Sequence, residues 1–199
     1  HRQSNLGKKL IKLLPYHHHK RRQNRKFRIK KTRIKDQVNI SQRPENVKLR
    51  LEIGHWEGDL MIGVGQKSAI GTIVERKTRF TFIVKIENRK SKTVTQQFAK
   101  IMNKMPKFIR KTMTYDNGME MANHKWLANK TGMNIYFANP YSSWERGSNE
   151  NHNRLIRRWL PKGSKNATPK QVAVIENWIN NYPKKILDYK SPKEFLQTG

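Results

Sequence analysis

Three acidic residues stand out because each lies in an unusual place for an acid, in a chain that has few of them. The sequence holds 14 Asp and Glu against 43 Lys and Arg. Asp59 lies inside an apolar stretch, Asp116 ends another and precedes Asn-Gly, and Glu150 stands between two asparagines. An ionised carboxylate in an apolar strand is costly unless it is paired or binds a metal. These three side chains are therefore the first candidates for chemistry.

Taken singly, each acid also fits a plain role: a salt-bridged strand residue for Asp59, an Asx-type turn for Asp116 and a solvated helix residue for Glu150. Taken together, they supply the oxygen ligands that hard cations prefer. Two such ions about 4 Å apart can activate an attacking oxygen and stabilise a leaving one at a phosphodiester. We therefore predict that the three carboxylates hold two Mg²⁺ or Mn²⁺ ions.

The helix that carries the third acid is predicted over about residues 147–160. Helical spacing places four polar residues on one of its faces: Glu150, Asn153, Arg154 and Arg157. The apolar residues form another face, which can pack on a sheet: Leu155, Ile156, Trp159 and Leu160. A docked helix gives the rigid placement that a metal ligand needs.

Two further polar residues are predicted to support the acids. Glu57 lies two residues before Asp59, so both side chains point to one face of a strand. Asn117 directly follows Asp116. A purely structural role is the alternative for Glu57.

The formal net charge of +29 indicates a polyanionic partner. DNA is the natural candidate and an anionic membrane surface the rival, but no apolar run approaches the roughly 18 residues that a spanning helix needs. No signal peptide is visible. The chain has no cysteine, which excludes disulfides and cysteine-based zinc sites. The lack of cysteine is compatible with an intracellular location.

Residues 1–46 are predicted to be a basic arm that is partly disordered. The run "HHHKRRQNRKFRIKKTRIK" carries almost no acid and no sustained apolar period. We predict that Lys20, Arg21 and Arg22 contact the phosphate backbone; a merely solvated tail is the alternative. Because the chain opens with His1 instead of Met, we also expect it to be a fragment.

Residues 47–199 are predicted to form one α/β domain. Strands are expected at 55–64, 68–78, 79–87, 111–120 and 133–140, of which the fourth runs into a turn at Asp116-Asn117-Gly118. Helices are expected at 91–105, 123–132, 147–160 and 168–183. Short connections join the first three strands, so they form an antiparallel meander, and the later strands follow crossover helices. The result is a mixed five-stranded sheet with helices on both faces.

Several long blocks resemble the catalytic region of insertion-sequence-thirty family transposases: "GHWEGDLMIG", "SAIGTIVERKTRF", "TYDNGMEMA", "YFANPYSSWERGSNENHNRLIRRWLPKG" and "YPKKILDYKSPKEF". That resemblance implies the RNase H-like integrase fold and a DDE triad at Asp59, Asp116 and Glu150. The intervals between them are 56 and 33 residues. It also implies that Arg146 and Arg157, four before and seven after Glu150, contact DNA phosphate.

The resemblance implies a metal-dependent DNA transposase that cleaves a 3′ end and transfers the strand. Because two element ends must be joined, a homo-oligomer is expected. An upstream helix-turn-helix region is also implied, of which "SNLGKKLIKLL" is a candidate remnant. Two alternatives stay open: a metal-dependent nuclease on the same fold, and a truncated DNA-binding regulator without catalysis.

Overall fold

The computed structural model describes residues 4–13, 34–63, 69–140, 142–161 and 167–198. The chain divides into two units, residues 1–32 and 33–199. In the first unit the described part is helix α1 (Asn5–Leu13). In the second unit, Ile34 is buried in the core and Asn39 bridges to Phe137. The predicted arm, residues 1–46, therefore overlaps the second unit over residues 34–46.

The second unit is built on a five-stranded sheet of order β3-β2-β1-β4-β5. Its strands are β1 (His55–Ile62), β2 (Ala69–Glu75), β3 (Thr81–Ile86), β4 (Thr112–Tyr115) and β5 (Asn134–Phe137). The first three pair antiparallel, whereas β4 and β5 add in parallel. The predicted mixed sheet is confirmed, and β4 ends at Tyr115, directly before the turn predicted at Asp116-Asn117-Gly118.

Helices cover both faces of this sheet. They are α2 (Glu45–Leu49), α3 (Ser91–Met102), α4 (His124–Thr131), α5 (Gly147–Trp159), α6 (Pro169–Asn181) and α7 (Pro192–Thr198). Helices α3 and α4 enclose the larger core, which includes Trp56, Phe98 and Tyr115. Helices α5 and α6 pack on the other face over Met61 and Ile83. None of the described helices is long and apolar enough to cross a bilayer.

Side-chain alternation along β1 divides polar from apolar residues. Trp56 faces the larger core, and a Cβ on Gly58 would point at Tyr115 on that same side. Glu57, Asp59 and Met61 must then face α5, because successive strand residues point to opposite faces. The acids of β1 thus lie on the α5 side of the sheet.

Both edges of the sheet are covered by side chains or backbone from outside it. On β3, Asn180 of α6 accepts a hydrogen bond from the Thr81 N–H (2.8 Å) and donates one to the Thr81 carbonyl (2.7 Å). Glu176 accepts one from the Ile83 N–H. On β5, the Phe137 N–H donates to the carbonyl of Val38 at 2.9 Å. Covered edges of this kind resist pairing with another chain.

The close approach at Gly58 generates a first prediction. A Cβ there would lie 2.1 Å from Tyr115 Cε1, and the Tyr115 ring is held by stacking on Phe98. We expect Gly58→Ala to destabilise the chain by about 1–3 kcal/mol in denaturant unfolding. Gly147→Ala is the matched control, because a Cβ there meets nothing within 4 Å. Equal stability of the two variants would contradict the packing described.

The edge contact at Glu176 generates a second prediction. Burial raises the pKa of Glu176, and the Ile83 N–H offsets part of that shift. A raised folded pKa gives stability that is present below the unfolded pKa and is lost as pH rises through the folded pKa. Glu176→Gln keeps an acceptor and removes the ionisation, so its Tm should exceed that of the unmodified chain at pH 7.

That gain should shrink as the pH falls toward 4.5, the ordinary pKa of a glutamate. The control is Glu87→Gln, which removes the same charge at an exposed position. Thermal unfolding from pH 4 to pH 7 measures the difference. A gain that is independent of pH, or that Glu87→Gln shares, would argue against a buried ionisation at Glu176.

Candidate active site

Two of the predicted acids meet at the centre of the sheet. Strand β1 pairs in parallel with β4, and Glu57 lies opposite Thr114. Asp59 and Asp116 each follow two residues later, so the two aspartates lie side by side. Arg146 lies between them: its Nη1 is 3.3 Å from Asp59 Oδ1 and its Nη2 is 3.3 Å from Asp116 Oδ2. Two carboxylates from neighbouring strands therefore converge on one cationic group.

Asp59 is the more enclosed of the two. Burial raises the pKa of its carboxyl group, Arg146 opposes that shift, and the nearby charge of Asp116 adds to it. Asn153 Nδ2 donates to Asp59 Oδ2 at 2.6 Å, which fixes the orientation of the carboxylate. Asp59 is thus aimed by α5 on one side and by Arg146 on the other.

Asp116 is more open to solvent. Its Oδ1 accepts a hydrogen bond from the Gly118 N–H at 3.0 Å. This bond forms the Asx-type turn that was the structural alternative for Asp116 in the sequence analysis. Its Oδ2 points instead toward Arg146. One carboxylate therefore both closes the turn after β4 and faces Asp59.

Glu150 does not join the two aspartates in this structure. It lies in the first turn of α5 and pairs with Arg154 at 3.5 Å, with both side chains more than half exposed. Among the described residues, no three His, Asp or Glu side chains are grouped closely enough to hold a metal ion. A local i,i+4 pair of exposed side chains is worth only about 0.3–0.5 kcal/mol, so little holds Glu150 in this orientation.

The N-terminal turn of α5 is fastened to the sheet by a buried polar network. Glu57 forms an ion pair with Arg76 and accepts a hydrogen bond from the Asn149 N–H at 2.8 Å. Asn149 Nδ2 donates to the Glu57 carbonyl, also at 2.8 Å. The Thr72 hydroxyl lies 2.8 Å from Asn149 Oδ1 and 3.0 Å from Asn153 Oδ1. The helix that carries Glu150 is thereby held in register with Asp59.

Sequence reasoning missed three members of this network: Thr72, Arg76 and Asn149. The available signal was the pair of asparagines around Glu150, because a buried amide at a helix start needs partners on the element beneath it. Their partners lie on β1 and β2, far away along the chain. The spacing of residues within α5 therefore cannot predict these partners.

The structure distributes the predicted DNA-contacting residues among different partners. Arg146 and Asn153 contact the aspartates, Arg154 pairs with Glu150, and Arg157 lies 3.4 Å from the Ile62 carbonyl. Lys20, Arg21 and Arg22 lie outside the described residues.

Asn117 links two loops beside Asp116. Its Nδ2 donates to the Ala138 carbonyl at 2.7 Å and its Oδ1 accepts from Gln37 Nε2 at 3.0 Å. These bonds tie the turn after β4 to the end of β5 and to the segment before β1. The role predicted for Asn117, support of the metal ligands, stays a prediction.

The buried ion pair generates a third prediction. Removing one partner of such a pair leaves an uncompensated buried charge, which costs about 3–5 kcal/mol. Glu57 is fully buried and Arg76 nearly so. We therefore expect Glu57→Ala to lose stability by that amount in denaturant unfolding. Glu45→Ala removes an exposed acid in the first turn of α2 and should change stability by less than about 0.5 kcal/mol.

Glu57→Gln separates charge from hydrogen bonding, because the amide oxygen can still accept from the Asn149 N–H. This variant should lose stability only because the buried Arg76 loses its charged partner. A variant Glu57→Ala as stable as Glu45→Ala would show that the network does not hold α5 to the sheet.

Comparisons with known proteins agree with this architecture. Residues 50–143 match the family model of the integrase core domain, a range that ends before Glu150. In Escherichia coli, the transposase InsI of insertion sequence element IS30A is 39% identical over 183 residues, which are 91% of this chain and 48% of that protein. In Cupriavidus metallidurans, the transposase of IS1086 is 39% identical over 82% of this chain and 49% of its own length.

The likeness extends to a solved structure. The catalytic core domain of BIV integrase superposes with a TM-score of 0.59 at 16% identity, covering 74% of this chain and 96% of that one. At such low identity this shows a shared fold. The chain spans about half the length of the curated relatives that it matches.

Proposed function

We propose that this chain is the catalytic part of a DNA transposase. It belongs to the IS30 family of transposases and carries their integrase catalytic core. It cleaves the 3′ end of an insertion sequence and joins that end to target DNA. The observation that carries the proposal is the convergence of Asp59 and Asp116, from neighbouring parallel strands, on one cationic group.

An integrase core of this type implies dependence on divalent metal ions. The donor set fits such ions, because Asp59 and Asp116 supply hard carboxylate oxygens that already face a positive charge. We assign Asp59, Asp116 and Glu150 as the ligands, with two Mg²⁺ or Mn²⁺ ions as the occupants. When bound, such ions supply activation of the attacking oxygen and stabilisation of the leaving one.

The residues of the chain have two positioning tasks before the reaction. Glu150 turns from Arg154 toward the aspartates, a change that breaks only an exposed ion pair. Arg146 leaves the carboxylates and binds a phosphate oxygen of the DNA, for which a guanidinium is well suited. Asn153 keeps its hydrogen bond to Asp59 and so preserves the orientation of that carboxylate.

The reaction then proceeds in two balanced displacements at phosphorus. Water attacks the phosphodiester at the element end, the bond from phosphorus to the 3′ oxygen breaks, and a free 3′-hydroxyl remains. That hydroxyl attacks a phosphodiester of the target, and the 3′ oxygen of the target strand leaves. Each step exchanges one ester or water oxygen for another, so no covalent protein intermediate or external energy source is needed.

The partners follow from the chemistry. DNA supplies both the element ends and the target, and the charge of +29 favours its binding. Joining two ends to one target calls for a homo-oligomer. We place the protein in the bacterial cytoplasm, at the nucleoid.

A cleavage and joining assay tests the proposal, with labelled element-end DNA and supercoiled plasmid in Mg²⁺, Mn²⁺ or EDTA. Asp116→Asn should lower metal-dependent cleavage at least about 100-fold, because it removes a metal ligand. The matched control is Asp188→Asn, which makes the same change at an exposed, left-handed residue far along the chain. It should retain full activity.

Three results separate the candidate functions. Joined products that require metal and Asp116 support a transposase. Cut but unjoined DNA would mean a nuclease on this fold. Salt-sensitive DNA binding with no metal-dependent product would mean either a regulator without catalysis or a core that needs its upstream domain, and adding that domain back separates the two.

A further inference from the structure

Three arginines gather around Glu57 on the α5 side of the sheet. Arg76 lies closest, with Nη1 on the Glu57 carboxylate and Nε donating to the Val47 carbonyl at 3.3 Å. Arg43 and Arg50 come from the segment before β1, and both interact electrostatically with Arg76 and with Glu57. Glu57 therefore stands among three guanidinium groups, and Glu145 and Glu75 act on Arg43 and Arg50 respectively.

Arg43 and Arg50 have no carboxylate partner within ion-pair distance among the residues that the structure describes. Arg43 donates one hydrogen bond, from Nη1 to Thr114 Oγ1 at 2.9 Å. Burial, and after it the charge of Arg76, lower the pKa of Arg43 to about 10, with Glu57 and Glu145 opposing the shift. Burial and then Arg76 also lower the pKa of Arg50. Both groups are partly enclosed cations beside another cation.

The nearby acids are already engaged. Glu57 is taken by Arg76 and the Asn149 N–H. Glu75 accepts hydrogen bonds from the N–H groups that start β1 and follow β2: Gly54, His55, Lys77 and Thr78. Glu145 accepts from the Asn139 N–H and side-chain amide. These carboxylates keep their charge but are held by other donors, so what Arg43 and Arg50 lack within the described part of the chain is an anion at ion-pair distance.

The cluster lies close to the candidate active site. Arg43 contacts Thr114, and Asp116 follows two residues later, which is about 7 Å along a strand. That spacing is about the axial rise of two nucleotides in one strand of duplex DNA. A phosphate bound at Arg43 would therefore be a neighbour of the reacting phosphate, which lies between Asp59 and Asp116.

We propose that Arg43 and Arg50, backed by the charge of Arg76, bind phosphodiester groups of the DNA that flank the reacting phosphate. Guanidinium groups bind phosphate oxygens through paired N–H donors, and they do so best where solvent is partly excluded. A bound phosphate supplies the directly paired anion that Arg43 and Arg50 lack among the described residues. The inference rests on the proposed function, because it takes DNA as the ligand.

Salt dependence of DNA binding tests the site without catalysis. Binding of labelled duplex DNA is measured in EDTA from 50 to 300 mM salt, using the whole chain. Each lost phosphate contact should reduce the slope of log K against log salt by about 0.9. We expect that reduction for Arg43→Gln and for Arg50→Gln, and about twice that for the double variant, with a similar loss on every DNA sequence.

Lys130→Gln is the matched control, since it removes one positive charge from an exposed position of α4, which packs with α3 on the other side of the sheet. Its slope should equal that of the unmodified chain.

Thermal unfolding without DNA checks that the variants fold. Arg50→Gln should be no less stable than the unmodified chain, because it removes a cation that lies near Arg76. Arg43→Lys should recover part of the slope, since it restores the charge without the paired donors.

The outcomes separate this site from the proposed function. Unchanged slopes in folded Arg43→Gln and Arg50→Gln, with normal metal-dependent cleavage by the unmodified chain, overturn the site alone. A slope change that Lys130→Gln shares also overturns it, because general charge then explains the effect. No salt-sensitive binding by the unmodified chain overturns both the site and the transposase proposal.

Discussion

One buried carboxylate, Glu57, connects the sheet to the helix on which the proposed chemistry depends. Glu57 forms an ion pair with Arg76, the residue that directly follows β2. It also accepts a hydrogen bond from the Asn149 N–H, one of the N–H groups that the first turn of a helix leaves without a partner in the helix. A buried pair gains little net stability over apolar packing. What it does provide is position, because α5 can meet these partners in one register only.

The same strand alternation that buries Glu57 also exposes Asp59 to the site. Residues two apart on β1 face α5 together, and the parallel pairing with β4 brings Thr114 and the residue after β4 to the same side. The opposite face of these strands is apolar and packs on α3 and α4. A stable core and a polar site are thus two sides of one sheet, and neither can shift register without the other.

Local pattern was sufficient for the strand and helix order, because period-2 and period-3.6 spacing are properties of neighbouring residues. It was also sufficient to single out Asp59 and Asp116, since acids at those points in apolar stretches are costly. It was insufficient for Thr72, Asn149 and the arginines around Glu57. Their roles come from contacts between residues dozens of positions apart, which no local spacing encodes.

The position of Arg146 follows from the same electrostatic constraint. Asp59 on β1 and Asp116 directly after β4 carry like charges that repel each other unless a cation lies between them. Here the chain supplies that cation, Arg146, from the turn directly before α5. Glu150 lies four residues later, one helical turn into the element that the Glu57 network holds in place. In the proposed function, a cation bound at the aspartates would take the place of Arg146, and the guanidinium would then be available to an anion at the same point. Under the proposed function, cation binding and phosphate binding would therefore be coupled through one side chain, at the start of the helix that carries Glu150.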